Sequence, residues 1–257
     1  MARRAVVTGA SSGIGEATVR ALRASGWEIV GVARRAERLA ALDEEVGSAS
    51  FAADLTSRTD VAALAAHLAA TGPVHALVHI AGGARGADRV EDGDPADWRW
   101  MFEVNVLSAQ LVTAALLPLL RVAARADGHA DTLYVTSTAA QAAYIGGGGY
   151  NAAKAGESML VGALRLELNG EPIRVTEIAP GMVRTEEFAL NRLGGDRARA
   201  DALYEGVEHP LTADDVADVI AYALGAPGHV NLDRVTMRPV AQSAQYLLAR
   251  GPLEVRS

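Results

Sequence analysis

The feature that most restricts the fold is a glycine-rich turn close to the start of the chain. Residues 5–8, three apolar side chains followed by Thr8, predict a short buried strand, and residues 16–24 have the apolar spacing of an amphipathic helix. Between them lie Gly9, Ala10, Ser11, Ser12, Gly13, Ile14 and Gly15. Glycines allow close backbone approach, and the free N–H groups and dipole of a helix N-terminus attract an anion. This order predicts a site for a pyrophosphate, the alternative being a turn that only joins strand to helix.

A tyrosine, a lysine and a serine form the second informative set. Tyr150 and Lys154 are four residues apart, so on a helix they share one face, about one turn apart. An adjacent ammonium favours the phenolate and should lower the tyrosine pKa from its ordinary value of about 10. Ser137, thirteen residues before Tyr150, can hold the oxygen of a carbonyl or an alcohol. The set predicts proton transfer at an oxygen while a hydride moves to or from carbon, although the Tyr–Lys pair alone is equally typical of a surface helix.

Apolar strands and amphipathic helices alternate along the whole chain. Strands are predicted at residues 5–8, 28–33, 50–53, 76–80, 132–136, 173–178 and 234–237. Helices are predicted at 16–24, 38–46, 61–70, 98–117 with an interruption near Pro118, from Tyr150 to about 168, and from an N-cap at Thr212 to about 225. We expect one doubly wound α/β domain over residues 1–257, with a seven-stranded, mainly parallel sheet covered on both faces.

Taken together, the turn and the Ser/Tyr/Lys set resemble those of the short-chain dehydrogenase/reductase family. The resemblance covers nearly the whole chain and rests on seven motifs in the right order. These are the turn Thr8-Gly9-x-x-x-Gly13-x-Gly15, Asp54-Leu55, Ala81-Gly82, Asn105, Ser137, Tyr150 with Lys154, and Pro180-Gly181-x-Val183-x-Thr185. The resemblance implies a Rossmann fold, a nicotinamide cofactor, and an oxidoreductase that interconverts a secondary alcohol and a ketone.

The resemblance also implies a role for each matching residue. Tyr150 would be the general acid/base and Ser137 would orient the substrate oxygen. Lys154 would lower the tyrosine pKa and bind the nicotinamide ribose, and Asn105 would hold a water that passes protons on from Lys154. Cofactor contacts are expected from Gly9, Ser11, Ser12, Gly13, Ile14 and Gly15 in the turn, Asp54 and Leu55 at the adenine, Ala81 and Gly82 at the ribose, Tyr150, Lys154, and Pro180, Gly181, Val183 and Thr185 towards the nicotinamide.

The choice of cofactor depends on the end of the second predicted strand. An acid there binds the ribose 2′-hydroxyl of NAD, whereas arginine accommodates the 2′-phosphate of NADP. This chain has Arg34 and Arg35, and its first acid, Glu37, is expected on the next helix. Two guanidinium groups can bind a phosphate through forked, charge-assisted hydrogen bonds. The sequence therefore predicts NADP(H), the alternative being two solvated arginines at a helix start.

Two positions depart from the family pattern. His79 and Ile80 stand where the family has two asparagines, the second of which ties strands together, and Ser108 stands where glycine is common. We expect His79 to make a structural hydrogen bond at a strand end rather than to act in catalysis. The other histidines lack metal-ligand spacing, and we predict no metal.

The C-terminal part of the chain points to a substrate class. Residues 229–243, with Gly181-Met182-Val183 and Glu187-Phe188, resemble a subgroup of NADP-dependent 3-hydroxy acid dehydrogenases that act on serine or allo-threonine. A small 3-hydroxy acid or β-hydroxy amino acid is the predicted substrate. The polar segment 186–208 would form a lid. The candidates to bind a substrate carboxylate are Arg192 and Arg197 in this segment and Arg184 before it, which could equally be solvated helix charges. Two alternatives remain: a reductase of bulkier ketones, and a redox sensor that binds NADP without turnover.

Composition limits the partners. Half of the 257 residues are apolar, 21% are charged and none is cysteine, which excludes global disorder and disulfides and fits a reducing cytoplasm. The net charge of −7 argues against nucleic acid. We expect no signal peptide, because no apolar segment precedes the first strand, and no membrane span, because polar residues interrupt the apolar stretch 109–120. The family resemblance implies a homodimer or homotetramer that assembles through the helices around Asn105 and Lys154.

Overall fold

The structure, a computed structural model, describes residues 2–255. Its central sheet has seven strands: β1 Arg4–Thr8, β2 Glu28–Ala33, β3 Ala49–Ala52, β4 Ala76–His79, β5 Ala130–Val135, β6 Ile173–Pro180 and β7 Arg234–Met237. The helices are α1 Gly13–Ala24, α2 Ala36–Val46, α3 Arg58–Thr71, α4 Pro95–Phe102, α5 Ser108–Asp127, α6 Gly148–Glu167, α7 Phe188–Arg192, α8 Arg197–Ala202 and α9 Ala213–Gly225. A short antiparallel pair, β8 Gln242–Ala244 and β9 Leu247–Leu248, follows the last sheet strand.

The strand order of the sheet is β3-β2-β1-β4-β5-β6-β7, and every neighbouring pair is parallel. The order runs one way from β1 to β3 and the other way from β4 to β7, so the sheet reverses between β1 and β4. In open α/β sheets the ligand crevice forms outside the carboxyl ends of the strands at such a reversal. The doubly wound, seven-stranded prediction is confirmed, and the sheet is parallel throughout.

Apolar side chains fill the space on both faces of the sheet. Helices α3, α5 and α6 pack on one face through residues such as Leu64, Leu116 and Val161, which are fully buried. Helices α1, α2 and α9 pack on the other face through residues such as Leu22 and Ile220. Burial of each such side chain stabilises the fold by about 1.5–3 kcal/mol before the cost of ordering it. Both faces are therefore covered, as parallel sheets require.

The helix predicted at residues 98–117 corresponds to the run from α4 to α5, which starts earlier and ends later than predicted. The side chain of Asp94 accepts a hydrogen bond from Ala96 N–H, and this cap starts α4 three residues earlier than expected. Pro118 lies inside α5 and does not end it, and the helix continues to Asp127 and a left-handed Gly128. Fully buried leucines on both sides of the proline pack against the sheet, which offsets the lost backbone hydrogen bond. The prediction of an interruption near Pro118 was wrong.

The helical run Pro95–Asp127 is long and apolar enough to cross a membrane by length and composition alone, which the sequence analysis did not expect. In the structure, 44% of its most apolar window is buried. Val112, Leu116 and Leu120 on this run are fully buried against the sheet. Buried core helices can have the same length and apolar composition as membrane-spanning helices, and this run packs as a core helix.

Thr8 and His79 join β1 to β4 at the point where the strand order reverses. The Thr8 hydroxyl oxygen accepts hydrogen bonds from the N–H groups of Ile80 at 2.9 Å and Ala81 at 3.0 Å. Its own proton is directed to His79 Nδ1 at 3.3 Å, so this ring nitrogen is the acceptor. Thr8 thus ties the strands together where Ile80 replaces the family's asparagine, and His79 makes the structural hydrogen bond expected of it.

We predict that His79 makes stability sensitive to acid. Burial and the Lys154 charge lower the pKa of His79 from 6.5 to about 3, so the folded protein keeps the ring neutral. In the unfolded chain the His79 ring binds a proton below pH 6.5, whereas in the folded protein it does not until about pH 3. The free energy of unfolding therefore decreases as the pH falls from 6.5 towards 3. At about pH 5 the loss corresponds to about 2 kcal/mol. His79→Asn should remove it.

The measurement is chemical unfolding of the wild type and His79→Asn from neutral to acid pH. His229→Asn is the matched control, since His229 is exposed in a loop. The wild type and the control should lose stability in parallel while His79→Asn loses less. Three parallel curves would contradict this account.

Candidate active site

A cavity of about 1150 Å³ opens at the carboxyl edge of the sheet, where the strand order reverses. It exceeds the roughly 300–1,000 Å³ common for small-molecule sites. Its walls include every predicted cofactor-contact residue except Lys154: Gly9, Ser11, Ser12, Gly13, Ile14, Gly15, Arg34, Arg35, Asp54, Leu55, Ala81, Gly82, Tyr150, Pro180, Gly181, Val183 and Thr185. Ser137 also lines the cavity, whereas Lys154 and Asn105 lie behind its wall.

The glycine turn forms a backbone cradle at one end of the cavity. Gly9 and Gly13 have φ values of +70° and +53°, in the left-handed region that favours glycine. A Cβ atom at Gly15 would overlap the carbonyl oxygen of Gly9, so the turn closes only without a side chain there. Helix α1 begins at Gly13, and the residues of its first turn line the cavity. Backbone donors and a positive helix end fit the pyrophosphate of a dinucleotide.

Arginines surround the end of β2. Arg35 donates to the Ser11 hydroxyl in the glycine turn, from Nε at 3.1 Å. It also pairs with Glu187 at 2.8 Å, and the same carboxylate accepts from Arg38 at 2.6 Å. Hydrogen bonds from Arg35, together with the charges of both arginines, lower the pKa of Glu187. Two guanidinium groups thus face one carboxylate, with exposed Arg34 next to them in the chain, and the sequence analysis did not identify Arg38.

Tyr150, Ser137 and Lys154 are brought together at the other end of the cavity. Tyr150 and Lys154 lie one turn apart near the start of α6, with 8% and 4% of their surfaces exposed. Ser137 follows β5, and its hydroxyl accepts a hydrogen bond from Ala139 N–H at 3.0 Å. The extended strands and the buried face of α6 fix all three side chains.

Burial dominates the electrostatics of Tyr150. Desolvation raises the pKa of the Tyr150 phenol, and the Lys154 ammonium lowers it by less, so the pKa lies above its usual value of 10.0. The lysine therefore acts in the direction that the sequence analysis expected, but it does not outweigh burial. Glu157 acts against the lysine and raises the pKa of Tyr150.

Glu157 is a neighbour of the site that the sequence analysis missed. Lys154 Nζ donates to Glu157 Oε2 at 2.6 Å and to the Val135 carbonyl oxygen at 3.2 Å. Burial lowers the pKa of Lys154, but Glu157 and Tyr150 raise it by more. The available signal was an acid three residues after the lysine, on a helix face that the apolar spacing directs inward.

Asn105 lies in a widened turn of helix, Glu103–Leu107, between α4 and α5. Its amide donates to the carbonyl oxygens of Met101 at 2.6 Å and Gly83 at 2.9 Å, and its oxygen accepts from Gly83 N–H at 3.2 Å. A Cβ atom at Gly82 would lie 2.5 Å from this oxygen and 3.5 Å from Lys154 Nζ. Asn105 and Lys154 thus both lie next to Gly82, behind the cavity wall. The role of Asn105 in proton transfer stays a prediction.

Residues of the 186–208 segment cover Tyr150. The Phe188 ring contacts the Tyr150 ring edge-on, at 5.7 Å between centroids, and the Arg192 guanidinium lies 5.5 Å from the Tyr150 ring. Arg192 also donates to the Tyr144 hydroxyl and to the carbonyl oxygens of Gly86 and Gly146. These bonds hold the segment against the rest of the cavity wall.

The three candidate substrate arginines differ in position. Exposed Arg184 and half-buried Arg192 line the cavity. Arg197 is exposed at the start of α8 and is absent from the cavity lining among residues 2–255. Of the three arginines, Arg197 is thus the one that the structure places outside the cavity lining.

Comparison with known proteins identifies the family. The family described as short chain dehydrogenase matches residues 3–192, which is more than half of the chain. This protein belongs to that family.

Relatives of the chain span almost its whole length. An uncharacterized oxidoreductase of Mycobacterium tuberculosis is 49% identical over 251 residues, covering 98% of this chain and 96% of that protein. A serine 3-dehydrogenase of Rhizobium radiobacter is 38% identical over 241 residues, covering 93% and 94%. The closed form of a serine dehydrogenase complexed with NADP⁺ superposes with a TM-score of 0.88 at 31% identity, covering 99% of both chains.

The site combines the parts that oxidoreductase chemistry in this family needs. A dinucleotide fits the glycine cradle, and the three side chains at the far end can bind and protonate an oxygen. Within residues 2–255, no group of three or more His, Asp or Glu side chains is placed to hold a metal ion. The residues present can therefore position a substrate oxygen and move a proton there.

Proposed function

We propose that this protein is an NADP(H)-dependent dehydrogenase that interconverts a secondary alcohol and a ketone, with small 3-hydroxy acids or β-hydroxy amino acids as substrates. The observation that carries the proposal is that Ser137 and Tyr150 meet in the cavity with Lys154 behind its wall, and that the other end of the cavity is a glycine cradle beside arginines. The similarity to a serine 3-dehydrogenase and to a serine dehydrogenase complexed with NADP⁺ supports the substrate class and the cofactor.

In the proposed reaction the substrate oxygen lies between the hydroxyl groups of Ser137 and Tyr150. A bound nicotinamide supplies or accepts the hydride. In alcohol oxidation the Tyr150 phenolate accepts the hydroxyl proton, and in ketone reduction the phenol returns it. The Lys154 ammonium stabilises the phenolate, and the cover of Phe188 and Arg192 keeps water away from the reacting oxygen.

The chain's own residues favour a cofactor with a 2′-phosphate. Arg34 is exposed beside the cavity, and Arg35 is anchored on the glycine turn through Ser11. No acid follows β2 directly, and Glu37 lies on α2, as expected. A phosphate here would meet guanidinium groups in a forked, charge-assisted arrangement.

We predict that the arginines determine cofactor choice. Wild-type kcat/KM should be much higher with NADP⁺ than with NAD⁺. The double variant Arg34→Ala/Arg35→Ala should lower kcat/KM for NADP⁺ about 100-fold, since two hydrogen bonds to a charged group are lost, and change it little for NAD⁺. Arg125→Ala, at an exposed position on α5, is the control. Comparable wild-type values with the two cofactors would refute the assignment.

We predict that Tyr150 carries the proton transfer. Tyr150→Phe should lower kcat at least about 1,000-fold, because the phenyl ring keeps the packing but cannot exchange a proton. Binding of NADPH, measured by fluorescence titration, should stay within about twofold of wild type. Tyr222→Phe is the control, since Tyr222 is 72% exposed on α9. Wild-type turnover by Tyr150→Phe would exclude the mechanism.

The 186–208 segment is proposed to be the substrate lid of a single domain. Arg192 uses its donors on Tyr144, Gly86 and Gly146 and so holds the segment closed. Arg184 lines the cavity, and within residues 2–255 it makes no ion pair. Arg184 is therefore the better candidate for a substrate carboxylate.

The substrate class is tested by absorbance of the reduced nicotinamide. We expect NADP⁺ reduction with L-serine, L-allo-threonine, 3-hydroxybutyrate or 3-hydroxyisobutyrate, and a KM for the acid that rises about tenfold in Arg184→Ala. If these acids give no NADP⁺ reduction but bulkier ketones oxidise NADPH, the proposed mechanism still holds and the ketone-reductase alternative is favoured. No turnover of any tested substrate despite tight NADPH binding would favour the redox-sensor alternative.

Assembly and location also stay predictions. The helices around Asn105 and Lys154 carry exposed apolar side chains, among them Leu107, Val122, Met159 and Leu166. A dimer or tetramer of this chain would cover such a surface. A cytoplasmic location rests on composition alone.

A further inference from the structure

A buried carboxylate lies directly behind the lysine of the active site. Glu157 on α6 is 0% exposed, and its Oε2 lies 2.6 Å from Lys154 Nζ. Its other oxygen, Oε1, has no hydrogen-bond partner within residues 2–255. Removal of a charge from water costs several kcal/mol, so replacement of both Lys154 and Glu157 by apolar side chains of similar size would be neutral or stabilising, whereas loss of Glu157 alone would leave the buried ammonium unpaired. Its pairing with Lys154, rather than apolar packing, therefore accounts for a glutamate at this position.

The strands beneath α6 form a polar row around Glu157. His79, Tyr134, Glu177 and Arg234 are directly opposite one another on four adjacent strands. Glu177 is satisfied by the Thr136 hydroxyl at 2.7 Å and by Arg234 Nε at 2.8 Å, and a further nitrogen of Arg234 bonds to the Ser158 hydroxyl on α6. Glu177 and Arg234 thus form a pair of their own, and within residues 2–255 the ion pair of Glu157 is with Lys154 alone.

We propose that Glu157 is a positioning residue that acts through Lys154: its carboxylate anchors the ammonium group, and its negative charge offsets part of the field that Lys154 exerts on Tyr150. This inference rests on the proposed function, in which Tyr150 is the acid/base. Among residues 2–255, Glu157 is not one of those that line the cavity. It therefore determines how strongly the lysine favours the phenolate, without touching substrate or cofactor.

The charge of Glu157 changes in the range where the enzyme would work. Burial raises the pKa of Glu157 to about 7, although the Lys154 charge opposes this shift. Burial keeps His79 neutral, with a pKa of about 3, and Tyr134 neutral, with a pKa of about 12. The titratable and charged groups that face Glu157 are Tyr150 and Lys154 on α6, His79 on β4, Tyr134 on β5, Glu177 on β6 and Arg234 on β7. Protonation of Glu157 exposes Tyr150 to the full charge of Lys154.

The decisive variant is Glu157→Gln, which keeps the shape and an acceptor oxygen but removes the charge. For alcohol oxidation, kcat/KM rises with pH as Tyr150 loses its proton. In Glu157→Gln the midpoint of this rise should move about one pH unit lower, because a negative charge near the phenolate is gone. Glu167→Gln, an exposed glutamate at the end of the same helix, should keep the wild-type midpoint.

A second readout does not depend on turnover. The near-ultraviolet absorbance of tyrosine phenolate is titrated with pH in a protein and in the same protein carrying Tyr150→Phe. The difference between the two titrations is the phenolate absorbance of Tyr150. This difference is measured in the wild-type background and in the Glu157→Gln background. The Tyr150 midpoint should fall by the same amount as the kinetic one, and Glu157→Leu, which removes both charge and acceptor, should shift it in the same direction.

The outcomes separate this inference from the proposed function. A lower Tyr150 midpoint in the glutamine or leucine variant supports the role of Glu157, even if no tested substrate is turned over. An unchanged or higher midpoint in the folded variants overturns it, even if Tyr150→Phe is inactive as proposed. A loss of stability in Glu157→Gln without a shift in midpoint also overturns it, since only a structural role would remain.

Discussion

The hydroxyl group of Thr8 joins the carboxyl ends of β1 and β4 at the one place where the strand order of the sheet reverses. It accepts from two backbone N–H groups of the segment after β4 and donates to His79, so its hydrogen-bonding capacity is fully used. The cavity opens at this junction because the connections on its two sides leave in opposite directions. The glycine turn on one side and the Ala81-Gly82 segment on the other keep their spacing only if the junction holds.

Electrostatic balance behind the cavity wall is a second constraint. Lys154, Glu157, Glu177 and His79 are all nearly or fully buried within one polar region under α6. A charged group in such a place must be paired, and an unpaired one must stay neutral. Lys154 is paired with Glu157, Arg234 is paired with Glu177, and His79 stays neutral. The charges of Lys154 and Glu157 are the ones in this region that shift the pKa of Tyr150.

Much of the fold was predictable because its signals are local. Apolar runs and turn residues gave the seven strands in order, and the cap at Thr212, which forms a reciprocal pair with Asp215, was recognised from its residue types. The continuation of α5 through Pro118 was not predictable, because it depends on leucines packed against strands distant in the chain. The start of α4 and the short pair β8–β9 were missed for lack of a strong periodic pattern.

The sequence by itself determined which chemical groups the protein has: a glycine turn for a phosphate, arginines after β2, and the Ser137, Tyr150 and Lys154 set. These were recognisable because each needs particular residue types at fixed local spacing. Only the tertiary structure decided which groups meet. It placed Glu157 against Lys154, Glu187 on the arginines, and Arg192 over Tyr150, while it left Arg197 outside the cavity. Contacts between distant residues and the degree of burial depend on how the helices pack on the sheet, and no local pattern encodes that packing.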